Sequence, residues 1–99
     1  MEQFEYDLEK DQRNVKERGF WFEIAAGIFE NLVLEWPDTR RDYGEDRFIA
    51  LGMVDNRVLV VVYTWRGNKR RIISARKADR NERETYGEAL ARHGPTEWD

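Results

Sequence analysis

Residues 58–63 read Val-Leu-Val-Val-Val-Tyr, apolar at every position, and short turn signals stand on either side, Asp55-Asn56 before and Gly67-Asn68 after. A strand that is apolar on both parities has no face to give to water, so this segment belongs in the middle of a sheet with both faces covered. Short connections rich in Asn, Asp and Gly make tight antiparallel hairpins, which ties residues 48–54, 57–65 and 69–77 into a meander. The outer strand of that meander is harder to orient. Its even positions (Arg70, Ile72, Ser74, Arg76) and its odd positions (Lys69, Arg71, Ile73, Ala75, Lys77) each mix apolar with basic residues, so alternation leaves the buried face open.

The flanks of the meander read as follows. Residues 4–6 alternate like a short strand, and Asp7 is placed to cap a helix over residues 8–18 that Gly19 stops. Asp11 and Gln12 break the thin Leu8/Val15 stripe of that helix, which predicts a surface position. A second helix over residues 20–30 places Trp21, Ile24, Ala25, Ile28 and Phe29 on one stripe, which predicts core. Residues 31–36 read as a strand and 37–46 as a polar loop, because Pro37 cannot donate to a ladder and Gly44 permits a turn. Asp79 with Glu82 three residues on has capping-box spacing and opens a last helix. Its inner side is expected to be Tyr86, Ala89, Leu90 and His93, with Gly94-Pro95 as its end. The order is β-α-α-β-β-β-β-α, a two-layer α+β domain spanning residues 1–99, with the helices on one face of an antiparallel sheet.

Ninety-nine residues without cysteine leave no disulfide framework, thiolate zinc site or cysteine nucleophile. The longest apolar run falls far short of the roughly 20 residues of a membrane span, and Met1-Glu-Gln-Phe does not read as a signal peptide. The expectation is a cytosolic protein with no metal or cofactor. One histidine, His93, stands near a helix end, where it suits the dipole better than base catalysis. Ser74 is the only serine; it has no nucleophile elbow around it, and no glycine-rich phosphate loop is present.

The net charge of −3 is unevenly spread. Residues 64–83 hold eight cations against Asp79 and Glu82, a local balance of +6, while the rest of the chain stands at −9. A basic patch on an acidic body is the footprint of a polyanion site. It is equally the composition of a charged, solvated edge hairpin. Within it Arg66, Arg71, Ser74, Arg76, Lys77 and Arg80, with Tyr63 just ahead of it, supply donors and cations of the kind that hold RNA. Arginine forks neutralise phosphate, and tyrosine stacks on bases or donates a proton.

Several stretches together resemble the BrnT family of toxins. They are Phe4-Glu-Tyr-Asp7, Lys10 and Asn14 before Gly19, Phe22-Glu23-x-Ala25, Asp42-Tyr-Gly-Glu45 with Arg47-Phe48, Val60-Val-Val-Tyr-Thr64, Arg71-Ile-Ile-Ser-Ala-Arg-Lys-Ala78 and Glu82-Arg-x-x-Tyr86. The resemblance implies a RelE-like fold and a type II toxin that inhibits translation by cleaving RNA. It also implies a cognate, BrnA-like antitoxin that neutralises the toxin and carries the DNA-binding function, so that DNA is engaged only indirectly. On the matching positions, Arg71 and Arg76 are the first choices for phosphate contacts, with Tyr63 and Ser74 beside them as catalytic candidates. Lys77, Arg80, Arg66 and Arg18 are the RNA-binding candidates. Where the family usually has Lys-His-Gly, this chain has Glu17-Arg18-Gly19, so no histidine is carried over, and arginine is a poor base. Glu82 is a candidate base whose capping-box position favours a structural role, Glu23 is assigned to solvent, and Asp42, Tyr43 and Glu45 to a folded loop or an antitoxin contact. Trp65 and Trp98 are possible antitoxin landing points. The alternative is a non-catalytic module that uses the same basic face to bind nucleic acid or protein.

Overall fold

Asp55 and Asn56 both take left-handed backbone angles, φ 51° and 62°, the pair that a two-residue hairpin with the right twist needs. Gly67 supplies the same region, φ 62°, at the next turn. In the computed structural model, which describes residues 3–93, these turns join β3 (Arg47–Val54), β4 (Arg57–Arg66) and β5 (Lys69–Lys77). Two further strands, β1 (Gln3–Glu5) and β2 (Val33–Pro37), complete a five-stranded sheet in the order β1-β5-β4-β3-β2. The helices are α1 (Leu8–Arg18), α2 (Phe22–Ala25), continued by a 3₁₀ segment (Ala26–Glu30), and α3 (Arg80–His93). The stop at Gly94-Pro95 and the residue Trp98 lie outside the described residues.

The sheet departs from the expected all-antiparallel one. β1 runs parallel to β5, with Phe4 opposite Arg70 and Glu5 opposite Arg71, because α1 carries the chain back before the rest of the sheet is laid down. The helices do not share one face either. Leu59, Val61 and Tyr63 of β4 pack with Phe22, Ala25 and Ile28 in one buried cluster. Val60 packs with Leu51, Ala78 and Tyr86 in a second. Successive β4 residues point to opposite faces, so α2 and its 3₁₀ extension cover one side and α3 the other. A central strand apolar at every position requires this.

The second predicted stripe is rotated. Trp21 and Ile24 stay 50% and 41% exposed, whereas Phe22, Ala25 and Ile28 are fully buried. A spacing of three is the period of a 3₁₀ helix, and the chain tightens to that form at Ala26. Close approach to β3 accompanies the tightening. A Cβ on Gly52 would stand 2.7 Å from Ile28 Cβ, an atom fixed to the backbone of the 3₁₀ segment. Gly52→Ala is therefore expected to lower stability by about 1–3 kcal/mol, read as a lower urea midpoint at unchanged m-value.

α1 begins and ends where expected. Asp7 Oδ1 accepts from the N–H groups of Glu9 and Lys10 at 2.9 and 3.1 Å, and Gly19 closes the helix at φ 85° with its N–H on the Val15 carbonyl. Its inner face differs from the expected surface helix, for Asp11 and Asn14 are each only 6% exposed. Asp11 Oδ1 accepts from Phe22 N at 2.7 Å. Asn14 donates to the Phe20 carbonyl at 2.9 Å and accepts from Ala75 N at 3.1 Å. Polar side chains thus tie α1 to β5 through Asn14 and to the start of α2 through Asp11. In α3, Tyr86 and Ala89 are buried as expected, but Leu90 and His93 are exposed. The Tyr86 hydroxyl already reaches the Leu32 carbonyl just ahead of the outermost strand, so the last turn continues past the sheet.

Candidate nucleic-acid interface

The orientation of β5 is settled by one extra residue. Val62 pairs with Ser74 and Tyr63 with Ile72, so Ile73 has no partner on β4. A bulge of this kind flips the alternation. Ile72 and Ala75, of opposite parity, both enter the α2-side core. Arg71, Ser74 and Arg76 emerge together on the other face, opposite Thr64, Val62 and Val60.

That face continues across the sheet through register. Thr64 stands between Arg71 and Arg47, and Val62 between Ser74 and Ile49, with Trp36 beyond Ile49 on the edge strand. On the other flank Glu5 is opposite Arg71. α3 packs over Val60 and Leu51 through Tyr86, which leaves the rows through Val62 and Thr64 to be bordered by long charged side chains. Arg40, in the loop that leaves β2, carries a like charge that weakly repels Arg76.

Each of the four arginines carries a carboxylate. Arg71 Nη1 lies 2.6 Å from Glu5 Oε2, and Arg47 Nε lies 3.0 Å from Glu45 Oε2 while its guanidinium stacks 4.1 Å from the Tyr43 ring centre. Arg76 grips Glu82 with both terminal nitrogens at 2.9 Å, which raises the arginine's pKa and lowers the glutamate's. Glu82 also completes the predicted capping box. It accepts from Asp79 N at 2.8 Å while Asp79 Oδ1 accepts from Glu82 N at 2.8 Å.

The fourth pair folds the polar loop. Asp38, its side chain fully buried, accepts from Arg40 Nε and Nη2 at 2.8 and 2.7 Å and from the Tyr43 hydroxyl at 3.1 Å. The Arg40 guanidinium, chiefly through those hydrogen bonds, holds the Asp38 carboxyl well below the usual carboxylate range. A carboxylate depressed on folding contributes stability that is fully present above its unfolded value near 3.9 and is lost as pH falls from there through the folded value. Urea midpoints are therefore expected to drop below about pH 4, and Asp38→Asn should be less stable at neutral pH with a flatter acid limb. An unchanged limb in that variant would assign the acid sensitivity elsewhere.

Of the remaining predicted residues, Arg66 borders this face through Glu45, which it shares with Arg47, and Tyr63 and Lys77 point to the other side. Tyr63 is 2% exposed on the α2 side, among Phe29, Phe48 and Trp65, and its hydroxyl donates to Glu35. Burial, then that bond, pushes its pKa up. The enclosure removes Tyr63 as a platform for a base. Arg70 joins the same cluster, its guanidinium 4.0 Å from the Phe29 ring centre and 4.6 Å from that of Trp65, so this cation serves packing. Lys77 is exposed opposite Leu59. Arg80, with an 83% exposed side chain, pairs loosely with Glu84 at 3.3 Å. Arg66 at the hairpin tip lies 3.7 Å from Glu45, and Arg18 is exposed in the last turn of α1. Sequence reasoning missed Glu5, Trp36, Arg40 and Arg47. Strand alternation places Trp36 correctly once β2 is paired, but the approach of Arg40 depends on the loop. Among the described residues no cluster of three or more His, Asp or Glu side chains could hold a metal ion, and no helix is long and apolar enough to cross a membrane.

Comparison with known proteins bears on this arrangement. Residues 6–82 match the sequence profile of a family described as the ribonuclease toxin BrnT of type II toxin–antitoxin systems. The crystal structure of the Brucella abortus ribonuclease toxin BrnT aligns over 81% of this chain and the whole of that one, with a TM-score of 0.66 at 22% identity. At that identity the likeness is one of fold. No curated protein matches the sequence.

Proposed function

The chain belongs to the BrnT family of ribonuclease toxins of type II toxin–antitoxin systems, and from that premise we propose that it is a RelE-like endoribonuclease that arrests growth by cleaving RNA and blocking translation. The observation that carries this reading is the single face on which Arg71, Ser74 and Arg76 stand with Arg47 and Trp36. Phosphates can displace the carboxylates from the arginine forks, since both present a pair of anionic oxygens that a guanidinium can bind at once. Trp36, 40% exposed, offers the stacking surface that Tyr63 does not. Arg71 and Arg76 then stabilise charge on the pentavalent phosphate while the RNA's own 2′-hydroxyl attacks. Lys77, Arg80, Arg66 and Arg18 add long-range attraction rather than contact.

Membership of a toxin–antitoxin family brings a cognate antitoxin with it, here proposed to be BrnA-like, acting in the cytoplasm and linking the pair to DNA. Trp65, 43% exposed, is a landing point for it. Coexpression of the chain with its small genomic neighbour should give a copurifying, non-toxic complex.

The decisive experiment incubates the purified protein with total bacterial RNA, with and without a chelator. New RNA ends in both samples support the proposal, and cleavage that needs metal refutes the metal-independent step. One observation favours the alternative of a binding module: every arginine of the face already has a carboxylate partner. In that case RNA is retarded without shortening, with affinity falling steeply with salt.

A further inference from the structure

We propose that Glu5 is the general base of this face, the group that takes the proton from the RNA 2′-hydroxyl; this rests on the ribonuclease reading above. The attacking oxygen and the phosphorus it attacks are joined through one ribose. The base and the cation that holds the phosphate must therefore be immediate neighbours. Three arginine–carboxylate pairs border the face and a fourth folds the loop after β2, and they differ in what the carboxylate has left to give.

Glu82 is committed. Its Oε1 accepts from Arg76 and from Asp79 N, and its Oε2 from the second Arg76 nitrogen. Asp38 is buried beneath Arg40 and Tyr43, and Glu45 lies between Arg47 and Arg66. Glu5 alone combines a close arginine with an available oxygen. Its Oε2 meets Arg71 at 2.6 Å, Arg71 is its hydrogen-bond partner among the described residues, and its side chain is 32% exposed. β1 packs mainly on β5, and from β5 the charged group facing Glu5 is Arg71.

The step balances without an outside reagent. Glu5 Oε1 accepts the 2′-hydroxyl proton as the 2′-oxygen bonds to phosphorus. The bond from phosphorus to the 5′-oxygen breaks, and that oxygen leaves with the electron pair and takes a proton from water. A 2′,3′-cyclic phosphate and a 5′-hydroxyl result, and Glu5 returns its proton to the hydroxide left behind. Arg71, released from Glu5, holds the phosphate oxygens through the change.

The test compares the parent with Glu5→Gln and Glu5→Asp on a single-stranded RNA. Single-turnover cleavage is followed across pH, together with RNA affinity and melting temperature. Glu5→Gln is expected to slow cleavage by about 10²–10⁴-fold and to remove the acid limb of the pH profile, while RNA binds as tightly as before or tighter. Glu5→Asp should recover part of the rate and the limb with it. Cleavage by Glu5→Gln within about tenfold of the parent, or a slower rate with the acid limb intact, would show that Glu5 only positions Arg71. A parent that binds RNA without leaving new ends overturns the ribonuclease reading itself, and this is visible before any variant is made.

Discussion

Alanine at both Arg71 and Arg76 is expected to abolish growth arrest on induced expression, with total RNA left intact, while the protein stays folded. Each arginine is assigned a share of the charge on the pentavalent phosphate. Losing one preorganised donor of this kind costs about 10²–10³ in rate. The two act on one phosphate, so the double variant should lose at least the larger single effect and need not reach the product of the two. The structural cost is small by comparison. The Arg71–Glu5 and Arg76–Glu82 pairs are each partly solvent-exposed, where ion pairs contribute about 0–1 kcal/mol. Glu82 keeps its capping bond to Asp79 N. A melting temperature close to the parent's together with lost toxicity supports the assignment. A double variant as toxic as the parent at equal expression places the site elsewhere on the molecule.

The charge pattern that drew attention to residues 64–83 changes meaning in three dimensions. In sequence those cations form a block of net +6. In the fold, Glu5, Glu45 and Glu84 are brought to Arg71, Arg66 and Arg80 from outside it or from its margin, and Arg70 turns inward to aromatic rings. The face is therefore a set of paired charges rather than a bare cationic surface. On the proposed ribonuclease reading, RNA has to exchange with carboxylates to reach it, which weakens binding but leaves the arginine forks already oriented. On that reading the carboxylates of the acidic body belong to the proposed site.

What could be read from sequence follows the physics of each element. The meander was legible because the run at residues 58–63 and two short turns are local signals, and α1 because Asp7 and Gly19 mark both its ends. The orientation of β5 was not, because a one-residue bulge at Ile73 merges two parities into each face. Trp21 and Ile24 escape an α-helical wheel over residues 20–30 because the helix starts only at Phe22, with Trp21 extended ahead of it, and the buried side runs through Phe22, Ala25 and Ile28. Tyr63 was read as a site residue for its chemistry, whereas its parity on β4 assigns it to the core. The arginine–carboxylate pairs join elements as far apart as Glu5 and Arg71, and no local pattern announces them. The buried polar face of α1 was hidden for a related reason. Asp11 and Asn14 look like solvent-facing residues until the backbone groups they satisfy are known.

That polar face carries the largest expected effect on stability. Asn14 serves two buried backbone groups at once, the Phe20 carbonyl and the Ala75 N–H. In Asn14→Ala both are left without their partner in a site too enclosed for full hydration. Each such loss costs about 1–3 kcal/mol, so about 2–5 kcal/mol is expected out of the 5–15 kcal/mol typical of a small domain. The measurement is urea unfolding of the parent, Asn14→Ala and Arg13→Ala. The last is an exposed neighbour on the same helix, for which a change within about 0.5 kcal/mol is expected. Asn14→Asp separates the two bonds. It keeps an acceptor for Ala75 N but turns a carboxylate oxygen toward the Phe20 carbonyl, so it should be no more stable than the alanine variant at neutral pH and should recover as the pH is lowered and the carboxyl gains a proton to donate. Asp11→Ala removes the acceptor of Phe22 N from the same face, three residues away. The two losses are therefore expected to couple rather than add, because Asn14 on Phe20 and Asp11 on Phe22 hold the same turn between α1 and α2. A loss below about 1 kcal/mol for Asn14→Ala would mean that apolar contacts, not Asn14, seat α1 on β5.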